Sequence, residues 1–325
     1  MLKDILENKK CFKLICGAGN EDATEIEKLV ALYAKAGANF FDLSANEEVI
    51  EAALRGLNRV IPAPELANYH LCISVGTKGD PHVSKAFIDK SKCIYCGNCT
   101  RACPQRAILS DIEYIVSETR CIGCGKCKTS CTVNAISFHS RIKPLKDLLS
   151  VIAKYNISCI ELHASSNNEK EIYEKWQVIN DNFDGMFSIC LNRTHFGDIK
   201  LIELIKSLIE SKEEFSTIVQ TDGNPMSGSK DTYNATLQAI STAELVQNTH
   251  LPVFIIPSGG TNSKTAELAK LCKVNIHGVA IGSYARKIVR EYIDREDFFE
   301  NEEIFNKAVE TAQKLVQRTF KDLVL

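Results

Sequence analysis

The chain has 325 residues, 45% of them hydrophobic and 25% charged, the balance of an ordinary globular protein. Lys and Arg number 39 against 41 Asp and Glu, a net charge of −2, so no overall basic field speaks for a nucleic-acid partner. No apolar run reaches the length of a membrane span, and Met1–Lys10 carry no secretory pattern, so the fourteen cysteines read as those of a reducing, cytoplasmic setting.

In chain order, Lys13–Cys16 reads as a strand. Ile26, Leu29, Val30 and Tyr33 then form a stripe at helical spacing, which Gly37 ends. Phe40–Leu43 is a second strand, Glu47–Leu57 a second helix and Leu71–Val75 a third strand. Here the alternation is interrupted. It resumes with a helix near Lys146–Tyr155 and a strand at Ser158–Leu162, then a helix near Glu169–Asn180 and a strand at Met186–Leu191. A helix carrying Leu201, Leu204, Ile205 and Leu208 leads to a strand at Thr217–Gln220, followed by a helix at Tyr233–Gln247. Val253–Ile256 and Gly278–Ile281 are the last two strands, with helices at Ser263–Leu271 and from Tyr284; a final helix bears Phe305 to Val316. Eight strands, each followed by a helix and several continuously apolar, predict an α/β chain, a (β/α)8 TIM-like barrel; an open doubly wound sheet is the alternative.

The interruption contains the most specific pattern in the chain. Cys93, Cys96, Cys99 and Cys103, then Cys121, Cys124, Cys127 and Cys131, each follow the C-x2-C-x2-C-x3-C spacing of a ferredoxin holding two [4Fe-4S] clusters. Three thiolates two residues apart wrap one cubane from a tight loop, and the fourth points to the other. That assigns Cys93, Cys96, Cys99 and Cys131 to one cluster and Cys121, Cys124, Cys127 and Cys103 to the second. Zinc does not need the third closely spaced Cys. The runs are also an internal repeat, with Gly97 on Gly125 and Ala107 on Ala135. The expected organisation is residues 1–80 as the first part of the barrel, 81–142 as a ferredoxin-like insert after the third strand, and 143–325 as the second part with a C-terminal helix. A loop after a barrel strand lies on the face where barrel active sites are built. Four other cysteines, Cys16, Cys72, Cys159 and Cys190, fall in apolar strand-like runs and read as small buried hydrophobes, with Cys16 notable beside Gly17.

Gly259 and Gly260 follow the seventh strand; Gly282 and Ser283 follow the eighth. Backbone amides there, with a helix N-terminus and Arg286 or Lys287, suit a phosphate group, including that of FMN. Polar side chains stand at the other strand ends: Asp42 and Ser44, Glu161 and His163, Asn192, Arg193 and His195, and Gln220, Thr221 and Asp222. Glu161 and Asp222 head a candidate pocket, although no nucleophile–base constellation is recognisable, and catalysis stays undecided. From Pro81 to Ile142 there are nine Lys or Arg against four Asp or Glu, cations that offset the clusters or dock an acidic redox partner.

Lys13-Leu14-Ile15-Cys16-Gly17-Ala18, the stretch Gln220–Gly228, Gly259-Gly260-Thr261-Asn262 and Gly282–Lys287, with the cysteine module between the first and second, resemble the light-dependent period A family of cyanobacteria. The resemblance implies an iron–sulfur regulator that senses redox state and adjusts the period of a circadian clock, with the eight cysteines above as ligands and no assigned reaction. Thr132 stands where Pro often follows the fourth Cys.

Overall fold

The computed structural model describes residues 1–17, 19–78, 80–110, 113–164, 168–194, 196–223 and 232–323. The chain runs through α1 (Leu2–Glu7), β1 (Cys11–Ile15), α2 (Ala23–Lys35), β2 (Phe40–Ser44), α3 (Glu47–Val60) and β3 (His70–Gly76). An insert follows, with β4 (Ser84–Ile88), α4 (Asn98–Ala102), β5 (Ile108–Ser110), β6 (Tyr114–Val116), α5 (Lys126–Ser130) and β7 (Ile136–Ser140). The alternation then continues as α6 (Leu145–Ile152), β8 (Cys159–His163), α7 (Glu169–Asn182), β9 (Met186–Leu191), α8 (Asp198–Ile209), β10 (Thr217–Asp222), α9 (Thr232–Gln247), β11 (Phe254–Ser258), α10 (Thr265–Leu271), β12 (Gly278–Ile281), α11 (Ser283–Ile293) and α12 (Glu302–Leu323).

Eight parallel strands form one sheet in the order β11-β10-β9-β8-β3-β2-β1-β12. The two end strands approach each other, and the His277 amide donates to the Ile255 carbonyl at 2.9 Å, so the barrel is nearly closed. The insert leaves after β3, as the chain order predicts. Alternation along each strand explains the layering. Outward residues such as Leu14, Phe41, Ile73, Ile160 and Val219 join the large core beneath the helices. Inward residues Cys11, Phe40, Cys72, Cys159, Ile218 and Phe254 fill the lower barrel, and Leu2 and Leu6 of α1 plug it from below. Burying each leucine contributes roughly 1.5–3 kcal/mol. Helix α1 escapes a periodicity reading because it is only 6 residues long.

The insert has its own apolar centre, built on Ala86, Ile88, Ala107, Ile108 and Ile136 with Cys99, Cys121 and Cys127. Strands β4 and β7 pair antiparallel, as do β5 and β6. The sequence repeat reappears in the backbone. Positive φ occurs at Tyr95 (55°) and Gly123 (66°), at Gly97 (74°) and Gly125 (77°), and at Arg106 (50°) and Asn134 (52°). Each pair occupies equivalent repeat positions, so the same strained turn is made twice around the cysteines.

Candidate functional site

The two cysteine loops lie side by side, with α4 and α5 each following one of them. Cys103, Cys121, Cys124 and Cys127 line one cavity with Ala86, Ile108, Ile122 and Phe138. The fourth cysteine of the first run thus meets three of the second. Backbone amides also converge on sulfur. Ala107 donates to Cys103 Sγ at 3.3 Å, Ala135 to Cys131 Sγ at 3.3 Å and Ala86 to Cys121 Sγ at 3.4 Å. Such donors favour a thiolate, and an apolar lining keeps water from it, so the residues fit an iron–sulfur group. The first run lies further out: Cys99 is buried and Cys93 and Cys103 half-buried, but Cys96 is exposed.

The second run faces the barrel. Lys85, 3% exposed, donates to the Gly19 carbonyl at 2.7 Å and to the Cys121 carbonyl at 2.8 Å. Thr119 accepts from the Glu21 amide at 2.7 Å, and Arg120 pairs with Asp22 at 2.5 Å. A Cβ at Gly19 would stand 2.6 Å from the His82 carbonyl and 3.2 Å from Ile122 Cα. Glycine therefore permits the close approach of the β1–α2 loop to the cysteine loop.

Below this contact the upper barrel is polar. Lys13 Nζ donates to Glu161 Oε2 at 2.6 Å and to Gln220 Oε1 at 2.9 Å. Ser188 and the Gln220 amide complete the Glu161 carboxylate at 2.7 and 2.9 Å. Burial by itself would raise the Glu161 pKa, but Lys13 and His163 outweigh it and hold Glu161 below the usual range. Burial likewise works against the Lys13 charge, yet Asp42 and Glu161 beside it keep its pKa above that of a free lysine. Asp42 accepts from Ser74 Oγ at 2.6 Å, and burial pushes its pKa up.

At the mouth, Asp80, just before the insert, and His82, at its start, meet His163 at the end of β8. Asp80 Oδ1 lies 2.9 Å from His82 Nδ1, and Asp80 Oδ2 lies 3.5 Å from His163 Nδ1. The two imidazoles meet edge to face at 5.0 Å. Burial would raise the Asp80 pKa, but the two histidines bring it down to about 2. Burial disfavours the His82 cation, and Asp80 more than offsets this, raising its pKa.

The structure thus gathers Asp42, Glu161, His163 and Gln220 and disperses other expected residues. Arg193 turns to Asp198 and Ser241, at 2.7 and 2.9 Å. Thr221 alternates with the inward Gln220 and Asp222 and so belongs to the opposite face. Asn192 caps its own turn, accepting from the Thr194 amide at 3.1 Å. His195 and positions 224–228 of the Gln220–Gly228 stretch lie outside the described residues. Arg286 is buried, with its Nε 2.8 Å from Glu25 Oε1 and an Nη bonded to the Cys16 carbonyl, so its charge is already matched. Gly259 and Gly260 have a packing reason. A Cβ on Gly259 would lie 2.7 Å from the Gly223 carbonyl and 3.0 Å from Asp222 Oδ1, and one on Gly260 would lie 2.3 Å from Ala235 Cβ. Asp222, its carboxyl bonded by Ser258, has its pKa raised to about 6 by burial. Gly282 precedes α11 with no side chain capping it, and Ser283 opens that helix. Cys16, Cys72, Cys159 and Cys190 are all buried, as small apolar residues should be.

Lys13, Asp80, His82 and Lys85 were not marked by the sequence as site residues. A lone lysine inside an apolar strand is the only signal for Lys13, and the other three sit between the third strand and the first cysteine, where no spacing rule applies.

The fold and the paired cysteine loops define an iron–sulfur protein on a barrel scaffold, and the family model of the 4Fe-4S binding domain matches residues 86–109 and 114–137. The model of the Light dependent period A C-terminal domain matches residues 151–318, more than half of the chain, and the chain belongs to that family. Light dependent period A of Synechococcus elongatus is 29% identical over 322 residues, covering 94% of this chain and 90% of that protein. The YdjI aldolase from Escherichia coli K12 aligns with a TM-score of 0.50 at 7% identity over 99% of this chain and 94% of its own. A truncated 3-deoxy-D-arabino-heptulosonate 7-phosphate synthase from Thermotoga maritima gives 0.49 at 12% identity, over 96% and 86%. The likeness to the aldolase is one of fold alone. The family and the cysteine module make this an iron–sulfur protein with a redox or regulatory role. Among the described residues no helix is long and apolar enough to cross a membrane.

Proposed function

We propose that the chain holds two [4Fe-4S] clusters, the outer on Cys93, Cys96, Cys99 and Cys131 and the inner on Cys121, Cys124, Cys127 and Cys103. In this reading it is a cytoplasmic redox sensor whose state is read by a protein partner, in the manner of a light-dependent modulator of circadian period. Residues 81–142 are the sensing unit, and 1–80 with 143–325 the barrel that responds. When bound, such clusters supply reversible one-electron chemistry. The observation that supports the reading best is the seat of the Cys121–Ile122 loop on Gly19, tied by Lys85. A change of charge among the inner sulfurs is felt first by Lys85, then by the carbonyl of Gly19 and the β1–α2 loop. Exposed Cys96 leaves the outer set open to a donor or acceptor.

The competing reading is a ferredoxin-fed oxidoreductase with FMN or another phosphorylated ligand at Gly259, Gly260, Gly282 and Ser283. The geometry favours it less, because Arg286 is matched by Glu25 and the Asp222 carboxyl adjoins the glycine turn. Anaerobic purification with iron, sulfide and flavin quantitation separates the two, with about eight irons per chain and no flavin expected. Hydrogen exchange in the oxidised and dithionite-reduced protein then tests sensing. Exchange in residues 16–22 and 80–85 should differ between the states. Identical exchange together with unchanged partner binding would remove the sensing role, and acid-released FMN would restore the oxidoreductase.

A further inference from the structure

We infer that Asp80, His82 and His163 form a binding site for one divalent first-row transition metal ion, separate from the cysteine module and placed at the joint between the insert and the barrel. Their ligand atoms all lie within 4.8 Å of one another. Two imidazoles and one carboxylate are the donor set that suits zinc or ferrous iron, with positions left over for water or a ligand.

The hydrogen bonds within the triad do not account for it. The Asp80–His82 pair uses Asp80 Oδ1, at 2.9 Å. Oδ2 of the same carboxylate is buried with no hydrogen-bond partner among the described residues, and Asp80 as a whole is only 1% exposed. A buried carboxylate oxygen without a partner keeps the cost of leaving water uncompensated. It points at the place where His163 Nδ1 stands, 3.5 Å away. That separation is long for a charge-assisted hydrogen bond but close to the roughly 3.3 Å between two ligands on a tetrahedral ion with bonds near 2.0–2.1 Å. Room for the carboxylate exists because residue 76 is glycine, where a Cβ would lie 2.7 Å from Oδ2. The His82 side chain keeps 16% exposure, which gives an ion a way in.

His163 Nε2 faces Glu161 Oε1 at 3.8 Å, a carboxylate beyond the ring nitrogen that faces Asp80. Asp80 ends the first part of the barrel, His82 opens the insert and His163 ends β8, so a bound ion would fix the angle between module and barrel. This inference does not depend on redox sensing.

The test uses the anaerobically reconstituted full chain, its iron content measured, freed of loose metal with EDTA and titrated with Zn2+ alone. Calorimetry and elemental analysis should show one zinc per chain with the iron unchanged. H82A, H163A and D80N should each weaken zinc at least tenfold while keeping the iron. X-ray absorption at the zinc edge of the wild-type protein should show nitrogen and oxygen neighbours only, which decides the matter even if a variant fails to fold. Absence of zinc binding in the micromolar range, full binding by an H82A/H163A double variant that retains its iron, or sulfur neighbours from Cys190 or the cysteine loops would each overturn the assignment.

Discussion

Lys13 Nζ lies 2.6 Å from Glu161 Oε2 at the centre of the barrel, and the two side chains are 1% and 0% exposed. A pair this deep is held by its partners and not by solvent. Removing one member leaves an uncompensated buried charge, which costs about 3–5 kcal/mol, whereas removing both into apolar groups of similar size is far milder. K13M should therefore lower the unfolding free energy by about that amount. K13M/E161L should recover more than half of the loss. Denaturant titration followed by circular dichroism checks this, and a double variant as unstable as K13M would show that the pair is not what the barrel depends on.

How far the sequence announces this centre depends on the kind of signal. Parallel strands covered by helices read as apolar runs, and Phe40–Leu43 or Val253–Ile256 are legible for that reason. The cysteine spacing is legible because metal geometry dictates it locally. Lys13, Glu161 and Gln220 are 148 and 59 residues apart along the chain, and only barrel closure brings them into hydrogen-bond contact. The strand count announces a barrel, but a single sequence does not say which inward side chains its closure sets against one another. Asp80 and His82 are illegible for a related reason: their third partner, His163, comes from the far side of the insert. Arg193 shows the converse, since a polar residue after a strand can turn outward to a helix neighbour as readily as inward.

The pairing of cysteine runs predicts which variants resemble each other. If the fourth cysteine of each run serves the other set, C103A should behave like C124A and not like C96A. C131A should group with C96A. Each should lose about half of the iron of the wild-type protein, and the remaining half should give the electron paramagnetic resonance signal of an isolated reduced cluster. Iron analysis with spectra of the dithionite-reduced protein reads both. Grouping by run, with C103A like C96A, would mean that each run closes on its own cluster.

Lys85 supplies a buried positive charge against the Cys121 loop, 2.8 Å from the Cys121 carbonyl. Burial lowers its pKa from the usual lysine range, because the charge has left water for two carbonyls. K85M removes that charge from beside the inner sulfurs and leaves the Gly19 and Cys121 carbonyls unmatched. The inner reduction potential should fall by roughly tens of mV, with the outer one unchanged. A redox titration resolves the two. G19A acts on the same contact by size alone, since its Cβ would press on the His82 carbonyl, a backbone atom that cannot rotate away. It should raise the rate of tryptic cleavage after Arg120, whose side chain is otherwise tied to Asp22.

Acid should destabilise the barrel through two histidines at its lower end. Burial brings His277 down from 6.5 to about 4, with Lys9 adding to the effect, and its Nδ1 accepts from the Ile255 amide at 3.0 Å, which requires that nitrogen to be unprotonated. Burial also brings His70 to about 4, where its Nδ1 contacts Ser158 Oγ at 2.9 Å. A histidine whose pKa is lower in the folded state binds protons more readily when unfolded. Stability is therefore complete above pH 6.5 and declines as pH falls from 6.5 to 4, below which the loss levels off. A depression of this size corresponds to roughly 3 kcal/mol per histidine as an upper figure. In denaturant titrations at several pH values, H277Q should flatten the slope between pH 6.5 and 4 by about half, because a glutamine can still accept from the Ile255 amide without titrating. A slope unaltered in both H277Q and H70Q would assign the acid sensitivity to the carboxylates instead.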